Sequence, residues 1–110
     1  MSLGTDIPKL AIDAPTNVWY KGMKDEKTDA VVTTATVSFR VNSKEDGSGT
    51  WYGASVNMPH QSGGDYVGTY PESEASALTP GTKYWVIVTV SGAASDKRSL
   101  PHVAGYRRNK

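Results

Sequence analysis

The chain holds two histidines, His60 and His102, and each stands beside a proline, Pro59 and Pro101. An imidazole can ligate a metal or carry a proton, but neither histidine has a Glu, Asp or second His at ligand spacing. Both read as loop residues. The run Lys44-Glu-Asp-Gly-Ser-Gly49 has the flavour of a calcium loop, yet it lacks the regular acidic ligands and closing glutamate of an EF-hand. Turn formation accounts for it better. Gly47, Gly49 and Gly53 do not make a G-x-G-x-x-G phosphate loop, and no serine sits in G-x-S-x-G. The absence of cysteine removes disulfides, thiolate zinc sites and cysteine nucleophiles. No catalytic residue, metal ligand or cofactor is therefore expected, and the chain does not read as an enzyme.

What could act by contact is aromatic, and its placement depends on strands. Val31, Thr33, Ala35, Val37, Phe39 and Val41 alternate with Val32, Thr34, Thr36, Ser38 and Arg40, a period of two rich in β-branched residues. The expected core side is Ala35, Val37, Phe39 and Val41. A turn over 43–50 leads to a strand over 51–58, in which Tyr52, Ala54, Val56 and Met58 share a face and Pro59 ends the pairing. A turn over 61–65 precedes a short strand over 66–70, and one helical turn is expected within 72–78. The most apolar strand is Tyr84-Trp-Val-Ile-Val-Thr-Val90, followed by a last strand near 98–106. With a weaker strand over 16–20, the total is six to seven strands. Strands without a longer helical period argue for a sandwich or small barrel.

If Tyr84, Val86, Val88 and Val90 point inward, Trp85 and Ile87 point out of the same strand. Trp51, opposite Tyr52 and Ala54, and Trp19, opposite Val18 and Tyr20, can join them on an outer face. Burying one Trp contributes on the order of 3 kcal/mol, so such a patch is a binding surface or an aggregation hazard. The expected protein-binding residues are Trp85, Ile87, Trp51 and Trp19. The competing expectations are that an N-terminal arm or the tail covers these side chains, or that the phase is shifted by one and they are core.

At 110 residues the chain has the length of one sandwich domain, placed at 16–107 after a flexible arm over 1–15 and before a polar basic tail over 108–110. Met1-Ser2-Leu3 is of the kind that expression vectors leave and is kept out of the fold reasoning. Twelve Lys and Arg against eleven Asp and Glu give a net charge of +1, which does not favour nucleic acid. No cleaved leader and no membrane span is expected, because no apolar stretch approaches the roughly 18 residues that a span needs.

The segment Leu78-Thr-Pro-Gly-Thr-Lys-Tyr84-Trp-Val-Ile-Val88 resembles the approach to the sixth strand of fibronectin type III and related immunoglobulin-like domains. There a tyrosine matching Tyr84 makes the tyrosine corner, its phenol hydrogen-bonded to nearby backbone. The second-strand tryptophan of fibronectin domains is missing, and Phe39 is expected to fill its volume. More widely, the stretch 30–41, Gly64-Asp-Tyr-Val-Gly68, the stretch 78–84 and Ala104-Gly-Tyr-Arg-Arg108 resemble small structural proteins of tailed bacteriophages and prophages. The resemblance implies an all-β, immunoglobulin-like (fibronectin type III-like) antiparallel β-sandwich. It also implies a virion component, assembled in the bacterial cytoplasm, whose partners are other virion proteins or further copies of itself. The alternative is a carbohydrate-binding or cell-surface-binding module in which glycans stack on Trp19, Trp51, Tyr66, Tyr70 or Trp85.

Overall fold

The computed structural model describes residues 8–25, 27–92 and 94–106. These form eight strands and one helical turn: β1 (Lys9–Ala11), β2 (Thr16–Tyr20), β3 (Thr36–Asn42), β4 (Val56–Asn57), β5 (His60–Ser62), β6 (Asp65–Tyr70), α1 (Glu72–Ala75), β7 (Lys83–Ser91) and β8 (Asp96–Gly105). They assemble into a five-stranded sheet of order β1-β8-β7-β3-β4 and a three-stranded sheet of order β2-β6-β5. One apolar cluster joins the two. Val37, Phe39, Val41, Tyr84, Val86, Val88 and Val90 enter it from the larger sheet, and Val18, Tyr20, Tyr66 and Tyr70 from the smaller. The rings of Phe39 and Tyr70 meet across this core at 6.2 Å. The protein is thus an all-β, two-sheet structure.

The alternation in β3 and β7 places side chains as expected, since a period of two puts every second residue on the buried face. Tyr84 also finds its backbone partner: its hydroxyl accepts from the N–H of Thr79 at 2.8 Å. Three elements differ from expectation. The Val and Thr alternation begins at Val31, but β3 begins only at Thr36, because the Tyr66 hydroxyl replaces a neighbouring strand. That hydroxyl donates to the carbonyl of Val32 at 2.8 Å and accepts from the N–H of Ala35 at 3.2 Å. The strand expected over 51–58 is reduced to a bridge between Asn42 and Trp51 and the two residues of β4. Between them Gly53, at φ 94°, turns the chain out of line, a conformation that favours glycine.

The third difference lies in the segment expected to be an arm. Lys9–Ala11 is a strand that runs parallel to β8, pairing Lys9 with Val103 and Ala11 with Gly105, so the larger sheet is mixed rather than wholly antiparallel. Leu10 drives this, as its side chain is fully buried in the core. The tail over 108–110 lies outside the described residues.

Candidate functional site

Register fixes what stands beside what on the outer face of the five-stranded sheet. Trp85 of β7 pairs with Pro101 on one side and Asn42 on the other, and Asn42 pairs in turn with Trp51. Directly paired residues point to the same face, so Pro101, Trp85, Asn42 and Trp51 form one row across four chain segments. The next row contains Ser99, Ile87 and Arg40, and on the other side of Trp85 stand Lys9, Val103 and Lys83. Trp85 is half-buried, with the Lys83 ammonium 5.7 Å from its ring centre. Trp51 is 38% exposed, and the Arg40 guanidinium lies 4.7 Å from its ring centre. Arg40 is held there because its Nε donates to the carbonyl of Gly53 at 2.9 Å.

Ile87 corrects the expectation of a contact residue. Its phase is the predicted outward one, yet it is only 4% exposed. The cover is the loop over 43–50, which folds back across the sheet so that Gly47 lies between the Ile87 and Trp51 side chains. The Ser99 hydroxyl donates to the carbonyl of Glu45 at 2.7 Å and ties the far side of the loop to β8.

The loop keeps its shape through Asn42, which sequence reasoning passed over. Its amide is wholly buried, donates to the carbonyls of Gly47 and Gly49, and accepts from the N–H groups of Lys44 and Gly49. The donor and acceptor capacity of a buried amide is thereby used in full, which is why it can be buried at little cost. The only sequence signal was an Asn at a strand end before a Gly-rich run. At the loop tip Asp46 accepts from the hydroxyl and N–H of Ser48, and these bonds hold its carboxyl below the usual carboxylate range.

Trp19 stands apart from the other three residues. It lies on the outer face of the three-stranded sheet, opposite Val67, 43% exposed and with the Lys21 ammonium 4.9 Å from its ring centre. The expected cluster of four therefore resolves into Trp85 and Trp51 on one face, Ile87 beneath a loop between them, and Trp19 on the opposite side of the molecule.

A groove of about 660 Å³ opens at one end of the sandwich between the β2–β3 connection and the start of β8. There the Tyr20 hydroxyl and Arg98 Nε both donate to Oδ2 of Asp96 at 2.8 Å, and the guanidinium lies 4.5 Å from the Tyr20 ring centre. The Tyr20 hydrogen bond, aided by Arg98, holds the Asp96 carboxyl below its usual range, while burial pushes the Tyr20 phenol up. This network clamps one sheet to the other. Lys21, Lys24 and Lys27 line the same groove, but with Asp25 among them the lining carries mixed charge.

The histidines occupy strands rather than loops and serve packing. His60 Nε2 accepts from the N–H of Gly64 at 3.2 Å, and its ring meets Tyr66 edge-on. His102 is buried, and its Nδ1–H donates to the carbonyl of Leu100 at 3.1 Å. Among the described residues no three His, Cys, Asp or Glu side chains gather as a metal site would require, and no helix is long and apolar enough to cross a membrane.

A two-sheet, all-β protein presenting half-exposed tryptophans is what this geometry defines. Comparison of the chain with protein-family models, with curated proteins and with solved structures found no match.

Proposed function

We infer that the chain is an immunoglobulin-like module that works by surface contact, as a structural or assembly component of a tailed bacteriophage or prophage particle. Strand order favours the immunoglobulin-like reading. β2, β6 and β5 follow the order B-E-D of one immunoglobulin sheet, and β8, β7 and β3 the order G-F-C of the other. Tyr84 near the start of β7, bonded to backbone five residues upstream, has the geometry of a tyrosine corner. The observation that carries the contact reading is the row of Trp85 and Trp51 beside a loop held rigid by Asn42. Aromatic rings on a pre-organised surface contribute contact area at low entropic cost.

Mass spectrometry of particles purified after prophage induction, from cells that encode the chain, tests the reading. The chain in stoichiometric amounts supports it, and its absence from intact particles refutes it. Glycan binding is the second reading; Tyr66 and Tyr70, expected among its stacking residues, are buried in the core, and Trp19 is the tryptophan presented on the three-stranded sheet. This reading predicts a change in tryptophan emission on adding polysaccharides that Trp19→Ser abolishes.

A further inference from the structure

We propose that the outer face of the five-stranded sheet pairs with the same face of a second copy, the acidic tip of the 43–50 loop of each seating on the basic shelf of the other. The proposal rests on the contact reading above and names its partner.

The face has two unlike halves. One is raised: the loop crosses over Ile87 toward Ser99 and presents Lys44, Glu45 and Asp46 to solvent, two carboxylates against one ammonium. The other is a low shelf, where Lys83 of β7 and Lys9 of β1 flank Val103, with Trp85 and Pro101 in the adjoining row. Successive rows on a face are about 7 Å apart, two residues of strand rise, so knob and shelf flank the Trp85 row at similar distances on either side. A two-fold axis lying in the interface, across the strands along the Trp85 row, sets each knob on the opposite shelf. The same operation brings the two Trp85 side chains together near the axis. One patch then serves both partners, as a closed two-fold contact requires.

The chemistry is complementary within this single patch. Carboxylates at the knob meet ammonium groups at the shelf, twice per dimer by symmetry, around half-buried Trp85, Pro101 and Val103. The knob does not need ordering on association, because Asn42 already holds four of its backbone groups and Ser99 a fifth. The described part of the N-terminal segment adds Lys9 to the shelf, and its Nζ donates to the carbonyl of Tyr106 at 3.1 Å, which fixes the ammonium at the rim.

Sedimentation equilibrium on the full chain tests this, with far-UV circular dichroism checking that each variant is folded. The wild type is expected to form a reversible dimer that weakens as salt rises. Lys83→Glu alone, and Glu45→Lys with Asp46→Lys, should each weaken it by about tenfold or more, since each creates like-charge contacts twice over. The three changes combined in one chain should restore dimerisation. Trp85→Ser, uncharged, should weaken it without salt dependence of the loss. A wild type still monomeric at about 1 mM, weaker than any specific dimer of use, would overturn the proposal. So would charge-reversed variants that dimerise like the wild type. A monomer that nevertheless enters particles overturns the dimer alone, whereas a dimer absent from particles overturns the particle reading alone.

Discussion

Replacing Asn42 by alanine removes two donated and two accepted hydrogen bonds, at 3.2, 3.3, 2.9 and 3.0 Å. A net contribution of about 1 kcal/mol for each bond sets an upper figure near ~4 kcal/mol. Loop groups that regain water recover part of this, so a loss of about 2 to 4 kcal/mol is expected. Urea unfolding followed by circular dichroism reads the stability, and the midpoint should fall without a large change in slope. The effect is also local. With the loop freed from β3, amide exchange at Lys44 and Gly49 should accelerate, and Trp51, whose ring lies beside Gly47, should emit at longer wavelength. Asn42→Asp sharpens the test, because a carboxylate can still accept from Lys44 and Gly49 but cannot donate to the Gly47 and Gly49 carbonyls. It should lose stability at neutral pH and recover part of it in acid, where the protonated group regains a donor. A folded Asn42→Ala protein that loses less than about 0.5 kcal/mol, with loop exchange unchanged, would refute the claim that this side chain holds the loop.

Three further outcomes follow from the core. Tyr84→Phe leaves the Thr79 N–H without its partner and should cost about 1 kcal/mol in urea unfolding, with the fold intact. Gly68→Ala places a Cβ 2.8 Å from the carbonyl oxygen of Asn57 and 2.9 Å from Met58 Cγ, so thermal unfolding should show a loss of about 1 to 3 kcal/mol from overpacking. Burial pushes the His102 imidazole below its usual range, so it is neutral in the folded chain where the unfolded chain already takes up a proton. Between those two values the unfolded state binds more protons, and stability should therefore fall as pH drops through about 6.5. His102→Gln should remove that component of the slope when unfolding is measured at a series of pH values.

The inward phase of β3 and β7 was legible because Val37, Phe39 and Val41, and Tyr84, Val86, Val88 and Val90, keep a strict period of two against one buried face. That local rule says which way Ile87 points but not what lies above it. Its cover is a turn whose fold-back depends on local side-chain bonds of Asn42 that no periodicity announces and on a bond from Ser99 made across the structure rather than along the chain. The early end of the 31–41 alternation was hidden for the same reason, since a phenol from β6 serves the backbone where a strand was expected. Leu10 and Ile12 show the complementary limit: two apolar residues are too short a pattern to mark a strand, yet both are buried in the core and β1 is seated against β8. The separation of Trp19 from Trp51 and Trp85 follows from which sheet each strand joins, and pairing between distant strands is not written in spacing.

The central claim is that the tryptophan-bearing face of the five-stranded sheet does the work of this protein. The most direct test is quantitative mass spectrometry of particles from induced cells carrying either the wild-type chain or the Trp51→Ser, Trp85→Ser double variant, with the soluble, folded fraction measured beside it. Both side chains are partly exposed, so the variant should fold, accumulate in the soluble fraction and be missing from particles that contain the wild type in stoichiometric amounts. Incorporation of the folded variant at the wild-type level, or absence of both from intact particles, would contradict the account.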